Sequence, residues 1–315
     1  MVHDASLMHS MRANNFEDLL TTMDNFYRYF KKLIIRKLYR LYNSTRNNLF
    51  YPFYGSICIN KLETPQQVIL LLSHMRAGST LCVNLLCTNP EIIGIGESGI
   101  TYSSANDFRI LRGKVYRRRS RLSITEKYLL DNLNQNHYIP NLEILLNNHI
   151  KCIFLLRDSE SALSSLLNEK FIQMEARSLN IDPKQVDWKK WFSGYYNKRL
   201  ARLMEYAKII NNKEKSLYFT YEQLIFDTKT IFNTLKSFLG VQGSFSEEYT
   251  PLPSRGAFGG IIGDPVSKKI TSGKIIKDSS PKILLPPEIS QECWETYQNA
   301  NATLSKYCRC IDVLK

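Results

Sequence analysis

Acidic residues are scarce in this sequence, long apolar runs are absent, and nothing in it repeats. Each absence excludes something. No stretch of 18 consecutive apolar residues occurs, so no membrane-spanning helix is expected. The first residues lack a basic start followed by an apolar segment, so no secretory signal is read and the expected compartment is the cytoplasm. Asp and Glu number 29 against 42 Lys and Arg, a net charge of +13. Such an excess favours anionic partners: phosphorylated cofactors, acidic substrates, nucleic acid or an anionic lipid surface. The 7 cysteines are odd in number and widely spread, and Cys82, Cys87 and Cys152 sit inside apolar runs, which favours a reducing environment over a disulfide framework. Cys308 and Cys310 form a C-x-C, but no second Cys/His pair stands at zinc-finger spacing, so no metal is expected.

What is present is an ordinary globular composition, 43% hydrophobic and 23% charged over 315 residues, enough for one large α/β core or two smaller ones. Residues 1 to 64 read as an N-terminal helical extension and 65 to 315 as the main domain. In the extension, "FYRYFKKLIIRKLYRL" (26 to 41) places Phe26, Phe30, Ile34, Leu38 and Leu41 on one stripe among six basic residues. This amphipathic helix either packs on its own domain or makes peripheral contact with an anionic membrane. Beyond it strands and helices alternate. Residues 67 to 73, 91 to 97, 151 to 158 and 216 to 224 read as strands, and helical periodicity covers 79 to 88, 124 to 134, 139 to 148, 160 to 171, 188 to 211, 228 to 239 and 287 to 306. The alternation predicts an α/β fold with a central parallel sheet flanked by helices. The stretch 238 to 265, rich in Gly, Pro and Ser, reads as loop and as a candidate lid.

Strand, small-residue turn and helix meet at "VILLLSHMRAGSTLCVNLL" (68 to 86), the construction of a phosphate cradle. A nucleotide P-loop adds a Gly-Lys pair for Mg–triphosphate, and the lysine is missing here. The N–H groups opening the helix would still favour an anion, and Arg76 can add a planar fork. A second strand–turn–helix, "CIFLLRDSESALSSLL" (152 to 167), carries Arg157 at the end of its strand and Ser165 eight residues on, both within reach of one phosphate.

Together the two stretches resemble the sulfotransferase family. Its 5′-phosphosulfate loop is similar to "RAGST", and its 3′-phosphate motif is similar to "RDSESALSS". Ser159 stands where the family's proline follows "RD", and Arg76 where cytosolic members have lysine. The resemblance implies the form of the α/β fold, a three-layer P-loop NTPase-like domain. It also implies a donor, 3′-phosphoadenosine 5′-phosphosulfate (PAPS), leaving 3′-phosphoadenosine 5′-phosphate (PAP), with no need of metal. It implies donor binding by Arg76, Ala77, Gly78, Ser79, Thr80, Arg157 and Ser165. "TYEQLIFDTK" resembles the segment that brings a tyrosine near the adenine, a place taken by Tyr221. "IGIGES" resembles the Gly-Glu of tyrosylprotein and some bacterial sulfotransferases, giving Glu97 the role of general base, with Arg76 as its catalytic partner. His74 is a rival base, since cytosolic members use histidine. "DPVSKKITSGKIIK" resembles a segment that closes over the donor, through Ser267 and Lys277.

The implied reaction moves a sulfuryl group to a hydroxyl of a glycan, lipid or peptide. "RILRGKVYRRRSR" (109 to 121) holds seven Lys and Arg, which suits an anionic acceptor, whether glycan, lipid headgroup or acidic peptide, and equally suits a solvated loop. Two other readings compete: a P-loop kinase or ATPase, against which the missing lysine counts, and a basic nucleic-acid-binding protein, which has charge but no recognisable module.

Overall fold

The computed structural model describes residues 44–60, 62, 65–121, 123–179, 181–252, 270–277 and 284–311. The basic helix read at 26 to 41, the residue Ser267 and residues 253 to 265 of the loop rich in Gly, Pro and Ser lie outside the described residues. After a π-helical turn at Arg46–Phe50 come α1 (Tyr51–Ile57), β1 (Ile59–Asn60), β2 (Gln67–Ser73), α2 (Ser79–Leu86), β3 (Ile92–Gly94), α3 (Asn106–Arg118), β4 (Ser123–Ile124) and β5 (Tyr128–Leu133). The chain continues through α4 (Leu142–Leu146), β6 (Ile150–Leu156), α5 (Ser159–Leu166), α6 (Glu169–Leu179), α7 (Trp188–Ile210), β7 (Ser216–Thr220), α8 (Tyr221–Phe226), α9 (Thr228–Leu239), α10 (Pro287–Tyr307) and β8 (Arg309–Cys310).

Six strands form one sheet in the order β3-β5-β2-β6-β7-β8, every pairing parallel. Parallel sheets are covered on both faces, and the strand sequences show why this one can be. Along β2, Val68, Leu70 and Leu72 enter one apolar core while Ile69 and Leu71 enter the other; β6 divides its Cys152, Phe154 and Leu156 from Ile153 and Leu155 in the same way. The first core is completed by α3, α4, α5, α7 and α10, the second by α2, α8 and α9. The predicted three-layer α/β architecture is therefore present.

From β2 the chain winds outward to β3 and back to β5, then crosses to β6 on the other side of β2. Loops leaving the carboxyl ends of these strands diverge at the reversal, which opens a crevice there. The segments carrying Arg76, Glu97, Arg157 and Tyr221 all leave strands at that end of the sheet.

Several expected elements are corrected. Residues 124 to 134, read as helix, hold β5 instead: Leu129, Leu130 and Leu133 mimic a helical stripe because Asp131 and Asn132 interrupt what is otherwise a buried strand. The strand expected to reach residue 224 ends at Thr220, where a capping box between Thr220 and Gln223 starts α8. The strand expected over 91 to 97 stops at Gly94, just before Gly96 turns the chain at φ 84°. The basic stretch 109 to 121 is mostly helix, and α3 crosses α1 at paired glycines. A Cβ on Gly113 would lie 2.0 Å from the Tyr51 carbonyl oxygen, and one on Gly55 would lie 2.4 Å from that of Arg109. Arg117 spreads over the rings of Phe50 and Tyr51, with its guanidinium carbon 4.9 and 5.8 Å from their centroids.

Candidate active site

The loop after β2 is bent by two left-handed residues, Arg76 at φ 64° and Gly78 at φ 83°. The second is a glycine for a visible reason: a Cβ there would sit 2.2 Å from Cδ2 of Tyr221, whose ring covers the turn. The first is a non-glycine residue in a costly conformation, the kind of strain that functional loops hold. Gly78 caps α2 without a side-chain hydrogen bond, so the amides of the helix's first turn, at Ser79 and Thr80, face the crevice end of the sheet.

Residues far apart in sequence converge on this loop. Arg76 donates from Nε to Ser165 Oγ at 2.7 Å, and Arg157 donates from Nη1 to the Arg76 carbonyl at 3.2 Å. The Arg157 guanidinium also lies over the Tyr221 ring, 4.6 Å from its centroid. Asp158 caps α5 by accepting from the Ser161 N–H at 2.8 Å, which fixes Arg157 and Ser165 at opposite ends of one short helix. Among the described residues Arg157 Nε is buried with no hydrogen-bond partner. A buried guanidinium donor left unpaired beside a helix N-terminus is a demand for an anion, and a phosphate oxygen would meet it.

His74 is 1% exposed. The Arg157 N–H donates to its Nε2 at 3.0 Å, so the proton sits on Nδ1, which donates to the Met75 carbonyl at 2.9 Å. Burial, with Arg157 and Arg199 adding to it, pushes its pKa down to about 4. With both ring nitrogens occupied and protonation opposed, His74 is a structural neutral imidazole.

Glu97 follows the turn at Gly96 and accepts from Asn134 Nδ2 at 2.5 Å. Burial raises its pKa to about 7; Asn134 opposes the rise and the charge of Asp131 adds to it. Asp131, fully buried on β5, accepts from the Ser98 N–H at 2.9 Å, the Ser98 hydroxyl at 2.5 Å, the Tyr102 hydroxyl at 2.7 Å and the Asn132 N–H at 3.0 Å. Burial raises the pKa of Asp131, and the hydrogen bonds from Ser98 and Tyr102 and the charge of Lys114 oppose that rise. Through Ser98 this carboxyl group fixes the residue beside Glu97. On the opposite face of β5, Asn132 donates to Ser79 Oγ at 3.0 Å and accepts from Ser73 Oγ at 3.3 Å, tying that strand to the phosphate loop.

Glu97 and Thr80 line one cleft together with Asn84, Asn132, Val83, Ile95, Leu252 and Ile270. Tyr138 and Tyr195 lie near enough to Glu97 to feel its charge. Burial raises both phenols to about 12, with the Glu97 charge adding to the rise. Lys277 is exposed, and among the described residues no contact joins it to this cluster.

Reading the sequence missed Asp131, Asn132, Asn134 and Arg199. The first three left a signal, polar residues at the carboxyl end of an apolar strand, hidden by the helical reading of β5. Arg199 left none, because it sits in a helix among Lys198 and Arg202. It is 0% exposed, donates from Nε to the Ser73 carbonyl at 2.8 Å and from Nη2 to the Leu133 carbonyl, and so holds the ends of β2 and β5 together beneath the loop.

Among the described residues no group of three His, Cys, Asp or Glu side chains could hold a metal ion, and no helix is long and apolar enough to cross a membrane. No protein-family model and no curated protein sequence matches the chain. Among solved structures it is similar to the sulfotransferase domain from the curacin biosynthetic pathway, with a TM-score of 0.41 and 15% identity, covering 75% of this chain and 99% of that one. It is also similar to a mouse sulfotransferase complexed with PAP, with a TM-score of 0.45 and 12% identity over 80% of this chain and 92% of that one. Retinol dehydratase in a complex with retinol and PAP gives a TM-score of 0.41 and 13% identity over 80% and 86%. The likeness is one of backbone course, at low sequence identity.

Proposed function

We propose that the protein is a PAPS-dependent sulfotransferase acting on a hydroxyl acceptor. The observation that carries this reading is the meeting of two anion-binding stretches, 81 residues apart between Arg76 and Arg157, in one cluster that includes Ser165 and an unpartnered buried Arg157 Nε. A single phosphate needs one such stretch; two stretches suit a donor with phosphates at both its 3′ and 5′ positions.

Bound PAPS would supply an activated sulfuryl group. Arg157 and Ser165 would hold its 3′-phosphate, with the Tyr221 ring beside them for the nucleoside. The N–H groups of Gly78, Ser79 and Thr80 would face the 5′ side, while that of Ala77 donates to the His74 carbonyl at 3.2 Å and closes the turn. Arg76, turned toward Ser165, serves both ends, stabilising negative charge that grows on oxygen during transfer. Glu97 takes the acceptor's proton at Oε2, while Asn134 holds Oε1 in place. A base near neutrality is matched to that task, strong enough to accept a proton and ionised for much of the time at neutral pH. Residues that position reactants and meet charge do most of the work here, as in phosphoryl transfer.

Thermal unfolding with PAP, compared with Mg-ATP and with 5′-AMP, tests the reading. At about 100 times its Kd a ligand adds roughly 2.7 kcal/mol, so PAP is expected to raise the Tm by several degrees and the Arg157→Ala variant to lose the shift. A shift with Mg-ATP alone would make the loop a kinase cradle and overturn the proposal.

A further inference from the structure

The distribution of charge around Glu97 bears on what the acceptor is. We infer that the acceptor reaches Glu97 as the hydroxyl of an uncharged molecule with an apolar body, seated in the cleft between α2 and the residues Leu252 and Ile270. This deepens the sulfotransferase reading and rests on it.

The apolar lining of the cleft is Val83, Ile95, Leu252 and Ile270. The polar groups of the cleft, Thr80, Asn84 and Asn132, are neutral, and among the described residues Glu97 is its one ionisable side chain. Among the described residues no Lys, Arg or His lines it. Asn84 is occupied in shaping the wall, donating to the Thr80 carbonyl at 2.8 Å and accepting from the Leu252 N–H at 2.8 Å. A cleft with an apolar lining and a few placed polar groups has the make-up of a receptor for a small apolar ligand.

Several cations of the neighbourhood have partners of their own among the described residues, and Arg157 keeps its Nε for the donor. Arg157 contacts the loop carbonyl and the Tyr221 ring, and Arg199 is committed to strand-end carbonyls. Lys114 donates to the Ser98 carbonyl at 2.9 Å. In the basic stretch that suggested an anionic acceptor, Arg117 covers Phe50 and Tyr51, Arg112 donates to Gln66 at 3.2 Å, and Arg121 pairs with Glu126. An acceptor carrying carboxylates or sulfates would instead bring negative charge against Glu97 and the buried Asp131, where low dielectric strengthens the repulsion.

The test uses the full chain with PAPS and two acceptors of one shape, 4-ethylphenol and 4-hydroxyphenylacetate, with longer 4-alkylphenols added. The neutral acceptor is expected to show at least about tenfold higher kcat/KM, rising roughly fourfold per added methylene as apolar area is buried. Leu252→Asp should lower kcat/KM for the neutral acceptor about tenfold or more, while the Tm shift with PAP stays intact. Equal or better use of the anionic phenol would overturn the inference. So would turnover of a sulfated glycan that falls on replacing Arg117 and Arg118 by Ala, or failure of every neutral acceptor while PAP still shifts the Tm. Absence of any PAP shift would remove the sulfotransferase reading itself, and this inference with it.

Discussion

At the scale of single residues, Glu97 sets function against stability. Its pKa stands near 7 in the fold against an ordinary 4.5, because burial disfavours the charged form. A raised folded pKa means that stability is complete below about pH 4.5 and is lost as pH rises through 7. Glu97→Gln keeps the hydrogen bond from Asn134 and removes that penalty, on the order of 3 kcal/mol at its fullest. Its Tm should match that of the parent near pH 5 and exceed it by several degrees at pH 8.5, while kcat falls roughly 10²- to 10⁴-fold. Thermal scans at the two pH values and single-turnover rates check both halves, and near-normal turnover with intact PAP binding would remove Glu97 from the mechanism. Asp131 acts on Glu97 through Ser98 and through its charge. Asp131→Asn should therefore move the acidic limb of the kcat/KM profile to lower pH, because a charge that opposes ionisation of Glu97 is gone; a lowered rate with an unmoved limb would leave Asp131 a purely structural part.

At the scale of elements, the sequence is most legible where one element answers to one pattern. The continuous apolar run of β2 could only be a strand covered on both faces, and the apolar spacing of 228 to 239 matches α9 end to end. Legibility fails where an element carries function. Asp131 and Asn132 give β5 the look of an amphipathic helix, yet each faces a different layer: one fixes the Glu97 turn, the other the phosphate loop. The crossing of α1 and α3 was equally invisible, since nothing local marks Gly55 and Gly113 as contact points between helices. Gly113→Ala forces a methyl onto the Tyr51 backbone, and overpacking of this kind costs about 1–3 kcal/mol. Denaturant unfolding should show that loss with PAP affinity unchanged, because the crossing lies away from the donor cluster. An unaltered midpoint would mean that the two helices separate readily.

For the whole molecule, the net charge of +13 and its placement make separate predictions for the two ends of the reaction. Donor binding depends on Arg76 and Arg157 and on the field of a basic protein, so PAP affinity should fall roughly tenfold between 50 and 300 mM NaCl, as screening shortens the reach of those charges. The KM for a neutral acceptor should hardly change over the same range. Calorimetry for PAP and initial rates for the acceptor measure the two; a flat salt profile for PAP would count against a charge-held donor. The sequence by itself determined the α/β class, the strand–turn–helix at residues 67 to 86 and the candidate anion binders, because these depend on short-range periodicity and on residue types at fixed spacing. Tertiary structure alone decided that Arg76 meets Ser165, that His74 is sealed while Glu97 faces a cleft, that Arg199 joins two strand ends, and that the basic helix spends part of its charge on aromatic rings. Those outcomes follow from strand order: placing β5 and β6 on either side of β2 brings together side chains whose separation along the chain no local pattern can encode.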